Sequence, residues 1–213
     1  GGEESARLRA VSRQEAADAP GGTRMTTIRE NGSNAPAPYD EARVAREMED
    51  LEAAAGAKGD PALTAILADA GARHLIRSVF GNSPFLGRII RLHPDWLPRL
   101  LNRTPEDAMD DLLARAAATR DLEKQADIMA ALRLAKAEAA LLIAMADITG
   151  TWPLEKVTGA LTDFADMTVG SSIVWLLRNA ATRGQILRAP EEVSPEGSGL
   201  VLLGMGKYGS REL

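Results

Sequence analysis

The chain contains no cysteine. That excludes a disulfide framework, a thiolate metal site and a cysteine nucleophile. Aromatic residues make up only 4% of it, as three Trp, two Tyr and three Phe, so any core must be built mainly from aliphatic side chains. There is no basic excess: the net charge is -5 and the pI about 5.2, which argues against a nucleic-acid surface. No apolar run reaches the roughly 18 residues needed to span a bilayer. The longest, Ala137 to Met145, is interrupted by Glu138 and flanked by Lys136 and Asp147. The N-terminus lacks the basic, apolar and small-residue segments of a signal peptide. Together these absences read as a soluble, cytoplasmic chain with neither a membrane nor a nucleic-acid partner.

What is abundant is alanine and leucine among 213 residues that are 45% hydrophobic. Both residue types favour helices because they lose little rotamer freedom there. Residues 1–38, rich in Gly, Ala, Arg, Glu and Pro with no sustained apolar period, read as disordered. The first Met is Met25. Translation starting there and a fragment boundary both remain open as origins of the residues before it.

From Tyr39 to Thr182 the pattern is helical almost throughout. Val44, Met48 and Leu51 lie at i, i+4, i+7. Asp60-Pro61 is an N-cap with Pro at the first helical position, opening one helix that carries Leu63, Ile66, Leu67, Leu75, Ile76 and Val79. Gly81-Asn82 ends it and Ser83-Pro84 starts another. Pro94 and Pro98 divide the next stretch into short pieces. Thr104-Pro105-Glu106-Asp107 has the form of a capping box, and helix continues from it to about Ile148 with a break near Thr119 to Asp121. Gly150 and Pro153 mark a turn, and a last helix runs to Gly184. This gives a helical domain over residues 39–184 and a Pro- and Gly-containing linker over 185–199. The first strand, Leu200–Leu203, opens a second, truncated domain over 200–213. The expected fold is therefore mostly α, followed by the first strand and glycine loop of an α/β domain.

Several residues inside the helical region invite a chemical reading. His74 and His93 have no second ligand at helical metal spacing and read as helix-surface or helix-end residues. Asp163 and Asp166 are three apart and share a helix face; a carboxylate pair of this kind serves metal binding or acid–base work, but more often joins a cap or a polar network. Lys136 and Glu138, two apart, do not share a face. Trp152 and Trp175 read as core residues. Arg88, Arg91, Arg99 and Arg103 form a basic cluster that reads as a solvated face.

The end of the chain carries the strongest signal. Leu200-Val201-Leu202-Leu203 feeds Gly204-Met205-Gly206-Lys207-Tyr208-Gly209-Ser210-Arg211-Glu212-Leu213. Glycines without a Cβ let backbone N–H groups approach a phosphate closely, and Lys207 adds a point charge. Gly204, Gly206, Lys207 and Gly209 are thus candidate nucleotide- or phosphate-binding residues. The segment satisfies G-x-G-x-x-G, yet the helix and the later acidic residue of a dinucleotide fold do not follow within the chain. A Walker A loop is excluded, because that motif needs four residues between its glycines and Ser or Thr after its Lys. An ordinary tight turn with an exposed lysine uses the same residues.

Three stretches resemble the bacterial glutamine-synthetase adenylyltransferase family. They are Phe80-Gly81-Asn82-Ser83-Pro84-Phe85-Leu86, the run from Leu132 through Gly150 followed by Leu161-Thr162-Asp163-Phe164-Ala165-Asp166, and the terminal Gly204–Leu213 segment. In that family the last usually reads Gly-Met-Gly-Lys-Leu-Gly-Gly, one variable residue, then Glu-Leu, and leads into a Ser-Asp-Ile-Asp-Leu signature. Tyr208 and Ser210 replace the usual Leu and Gly. The resemblance covers about Tyr39 to Leu213. It implies the N-terminal, adenylyl-removing half of a two-part enzyme of the polymerase-β nucleotidyltransferase type, in which inorganic phosphate releases ADP from an adenylylated tyrosine of glutamine synthetase. It implies Mg2+, ATP and ADP, a PII signal protein as partner and glutamine as effector. The Asp-x-Asp metal ligands it implies are absent from these residues, so no catalytic or metal-binding residue is assigned within the chain, and the chain alone is expected to be inactive. A truncated Rossmann-type oxidoreductase and a freestanding helical interaction protein are the competing readings. Ser-Asp-x-Asp following Leu213 would mark the adenylyltransferase, a long amphipathic helix the oxidoreductase, and a natural stop with a stably folded tail the interaction protein.

Overall fold

The computed structural model describes residues 26–187 and 198–213. The expectations for residues 1–25 and for the linker over 188–197 lie outside the described residues. Those described form eight α-helices: α1 (Glu41–Lys58), α2 (Pro61–Ala68), α3 (Ala70–Asn82), α4 (Pro84–Leu92), α5 (Trp96–Leu101), α6 (Pro105–Ala118), α7 (Gln125–Ile148) and α8 (Leu154–Thr182). Single 3-10 turns occur at Gly32–Asn34 and Thr119–Asp121.

Side-chain caps set most of the helix starts. Asp60 accepts from the backbone N–H of Ala62 and Leu63, and Pro61 occupies the first helical position. Ser83 accepts from Leu86 N–H ahead of Pro84. Thr104 accepts from Asp107 N–H, and its own hydroxyl donates to the Asp107 carboxylate at 2.8 Å. Each cap satisfies a donor that the first helical turn leaves without a partner. The stretch expected to be one helix from Pro61 to Asn82 is two, because Asp69 is extended (φ -77, ψ 127) and caps α3 through Ala72 N–H. Pro98 lies inside α5 rather than breaking it; in the first turn its missing N–H costs no helical hydrogen bond.

The core is aliphatic. α1 buries Val44, Met48, Leu51 and Ala55 along one stripe, and α5 buries Trp96, Leu97, Leu100 and Leu101. The C-terminal half of α7 is buried nearly all round through Leu141, Leu142, Ile143, Met145 and Ala146. α7 packs against α6, α8 and α4, while α3 packs against α1, α2 and α4. No helix among the described residues is long and apolar enough to cross a membrane.

Two expectations are corrected. The first is disorder over residues 1–38: the part described, 26–38, is a strap packed on α3. Ile28 is fully buried and Ala35 nearly so. Glycines permit this close crossing. A Cβ on Gly32 would stand 2.3 Å from Gly71 O, and one on Gly81 would stand 2.3 Å from Pro38 Cβ. The second is the strand at Leu200–Leu203. No strand occurs among the described residues, since a strand needs a neighbour to satisfy its ladder. Mostly α therefore holds, and the opening of an α/β domain does not appear.

Candidate functional site

α8 is the longest helix, with 29 residues, and it is held at both ends. Near its start, Trp152 Nε1 donates to Glu106 Oε1 at 2.9 Å, and Lys156 pairs with the same carboxylate. Near its end, Trp175 Nε1 donates to Leu122 O at 2.6 Å, and Arg178 pairs with Asp121 at 2.7 Å. Val157, Ala160 and Phe164 face the core. Asp163 and Asp166 lie between these anchors on a face that the core leaves open.

The terminal glycine segment meets α8 there. Tyr208 Oη donates to Asp166 Oδ1 at 2.6 Å. Arg211 Nη2 donates to Asp163 Oδ1 at 2.6 Å, and Nη1 stands 3.8 Å from Asp166 Oδ2. The hydrogen bond to the Asp166 carboxylate holds the Tyr208 phenol above its ordinary value of 10.0. Arg211 is likewise raised, chiefly by its hydrogen bond to Asp163. An open cleft of about 470 Å³ lies between helix and loop, with Val169, Ile173 and Leu202 as its apolar lining and Asp166, Tyr208 and Arg211 at its polar edge.

The loop is wound on itself. Ser210 N–H donates to Gly206 O at 3.0 Å and Glu212 N–H to Lys207 O at 2.7 Å. Gly206 has φ +60, and a Cβ on Gly209 would stand 2.5 Å from Gly204 O. Gly206 and Gly209 are thus required by conformation and by close approach respectively. Lys207 is exposed. Leu200, Val201, Leu202, Leu203 and Met205 all project largely into solvent.

The other sequence candidates resolve into structural roles. His74 Nε2 hydrogen-bonds Ala35 O at 2.9 Å, tying α3 to the strap. His93 stacks on Trp96 with ring centroids 4.1 Å apart. The arginine cluster is not one solvated face: Arg91 meets Glu47, Arg103 reaches Asp111, and Arg99 pairs with Glu138. Glu138 is buried and also takes a bidentate contact from Arg115 at 2.7 and 3.2 Å. Burial alone would lower Arg115, yet the bonds to Glu138 and Asp111 leave it raised. Lys136, two residues away, is exposed, as the helical spacing requires.

Magnesium is not fitted by these residues. Asp163 and Asp166 are committed to Arg211 and Tyr208, and no group of three or more potential ligands converges among the described residues.

Comparison with known proteins bears directly on the loop. The family model described as glutamate-ammonia ligase adenylyltransferase matches residues 73–213, from α3 to the last residue of the glycine segment. The chain belongs to that family. Three relatives carry the name bifunctional glutamine synthetase adenylyltransferase/adenylyl-removing enzyme. The protein of Bradyrhizobium diazoefficiens is 39% identical over 175 residues, 82% of this chain and 17% of its own length. That of Rhodopseudomonas palustris strain BisB5 is 46% identical over 139 residues, 65% of this chain and 14% of its own. That of Xanthobacter autotrophicus is 41% identical over 143 residues, 67% and 14% respectively. The chain therefore spans about a sixth or less of the relatives it matches. No solved structure matches it. Membership of the adenylyltransferase family disfavours both the oxidoreductase and the freestanding-helical readings.

Proposed function

We propose that this chain is the N-terminal part of a bifunctional enzyme that adenylylates and deadenylylates a tyrosine of glutamine synthetase. In this reading Gly204–Gly209 is the phosphate-binding entry of the adenylyl-removing half. The observation that carries it is the family match running through the loop to residue 213, over a wound backbone whose glycines at 206 and 209 no other residue could replace without strain or clash.

The chemistry is phosphorolysis. An oxygen of inorganic phosphate attacks the phosphorus of the adenylyl group, the bond from that phosphorus to the tyrosine oxygen breaks, and ADP and free tyrosine result. The loop's part is to bind and orient phosphate through backbone N–H groups, with the Lys207 ammonium offsetting its charge. ATP as adenylyl donor in the other half, a PII protein and glutamine as regulatory inputs, and Mg2+ held by carboxylates other than those described complete the reading. The setting is cytoplasmic.

A chimera tests this. The chain replaces the matching segment of the Bradyrhizobium diazoefficiens relative, and ADP release from adenylylated glutamine synthetase is assayed with inorganic phosphate. The chimera is expected to be active, its Lys207→Ala variant to have a raised phosphate KM, and the 213-residue chain alone to be inactive. A folded chimera that adenylylates but never deadenylylates would refute the assignment, as would metal-dependent deadenylylation by the chain alone.

A further inference from the structure

The glycine segment and α8 touch through a small set of charged and polar groups, and that contact is asymmetric. The loop backbone makes its own hydrogen bonds, and its apolar side chains lend it little anchorage, with Leu203 and Met205 79% and 82% exposed. Its orientation relative to the helices therefore rests on Tyr208 and Arg211, which are bonded to two carboxylates one helical turn apart.

Arg211 adds an independent observation. At φ +61 it is the only non-glycine residue with a left-handed backbone among those described. That conformation is unfavourable for an L-residue and persists where the surroundings demand it. Here it turns the guanidinium back toward Asp163 and Asp166. The carboxylate pair sits mid-helix, on an element fixed at Glu106 and Leu122, which makes it a rigid mount.

We propose that Asp163 and Asp166 are positioning residues: they grip Arg211 and Tyr208 so that the Gly204–Gly209 backbone is held in one orientation for an inorganic phosphate or phosphate ester. This deepens the phosphorolytic reading above and rests on it for the identity of the ligand. Tyr208 contributes through its hydroxyl, which the leucine usual at this place in the family would lack. The two carboxylates do not touch phosphate; like-charge repulsion would disfavour that, and one oxygen of each is already bonded to Tyr208 or Arg211.

The test uses the 213-residue chain and three readouts. In a Tyr39→Phe background Tyr208 is the only tyrosine, so absorbance at alkaline pH follows it alone. Asp166→Asn should move its titration down toward the ordinary 10.0. Hydrogen exchange at the amides of Ser210, Arg211 and Glu212 should quicken about tenfold in the Asp163→Asn/Asp166→Asn variant, as expected for losing one charge-assisted bond and one exposed ion pair. Binding of inorganic phosphate, followed by its NMR line width, should weaken several-fold in the same variant while the helical signal stays intact. Should the helix itself suffer, Tyr208→Phe and Arg211→Gln break the same contacts from the loop side. Unchanged exchange and an unshifted Tyr208 titration would overturn the grip; unchanged phosphate binding, or none in the parent chain, would overturn the positioning role. An inactive chimera would instead remove the enzymatic reading and leave these three results standing.

Discussion

Leu142 and Leu203 are chemically identical and structurally opposite: the first is fully buried in α7, the second 79% exposed in the terminal segment. The helical body, from the strap at residue 26 to the end of α8, places its apolar groups between elements that already satisfy their own backbone hydrogen bonds. The segment over 198–213 carries an apolar run too, and no strand or sheet face among the described residues receives it. It is held instead by a phenol and a guanidinium on two carboxylates. Apolar character thus identifies a core only where the partner surface is present, and among the described residues the terminal segment is little secured by burial.

Electrostatics separates the two regions most sharply. Replacing both Arg99 and Arg115 by Met leaves Glu138 buried without a counter-charge and should cost about 3–5 kcal/mol, whereas Glu138→Met removes the buried charge and should cost clearly less. Denaturant unfolding of the two variants measures the difference; equal costs would mean that solvent reaches Glu138. Against this, Asp163→Asn should leave global stability within about 0.5 kcal/mol, as exposed pairs do.

A packing contrast comes next. Leu142→Ala should destabilise by about 2–5 kcal/mol through transfer and cavity terms. Leu203→Ala should change nothing beyond about 0.5 kcal/mol, as is usual for an exposed position. A large effect at Leu203 in the 213-residue chain would erase the distinction between body and tail.

The strap sharpens the comparison from the other end of the chain. Gly71→Ala would place a Cβ 2.8 Å from Arg29 O, and overpacking of this kind costs about 1–3 kcal/mol. Thermal unfolding should report it, and exchange should rise across residues 28–35. Strap amides that keep their protection in Gly71→Ala would show that the crossing adjusts freely.

A smaller destabilisation within the body is expected at Asp69, which caps α3 and takes Arg29 Nε at 3.0 Å. Its carboxyl is held below the ordinary range first by Ala72 N–H and then, against some desolvation, by Arg29. A carboxylate depressed in the folded state stabilises above its unfolded pKa and loses that contribution as pH falls through the folded value. Asp69→Ala should therefore cost about 1 kcal/mol at neutral pH and flatten the loss of stability between pH 5 and acid, as read by a pH series of melting temperatures.

Much of the helical body is legible in the residues. Asp60-Pro61, Ser83-Pro84 and Thr104-Pro105 are local signals, because a cap needs only its own first turn. The break at Thr119–Asp121 and the left-handed Gly150 after α7 (φ +64) are of the same kind. Asp69 escaped because, unlike Asp60, Ser83 and Thr104, it is not followed by a proline. Periodicity overcounted in α7, where Met129 and Leu134 are substantially exposed on a helix whose buried positions are Ile128 and others from Ala135 to Ala146. The strap was hidden for a different reason: its composition is that of disorder, and its order comes from glycines 39 and 43 positions away, at Gly71 and Gly81, that let it lie close to α3.

At the site, the glycine loop and its match to the adenylyltransferase family were written in consecutive residues, as was the shared face of Asp163 and Asp166. Their partners were not, since the nearest of those bonds joins groups 42 positions apart. Sequence alone determined what depends on neighbours along the chain: helix starts, breaks, the wound glycine turn and the family. Tertiary structure alone decided which arginines enclose Glu138, that the strap folds onto α3, and which carboxylates hold the loop. Those contacts join residues far apart in sequence, and only the packing of the helices brings them within a hydrogen bond.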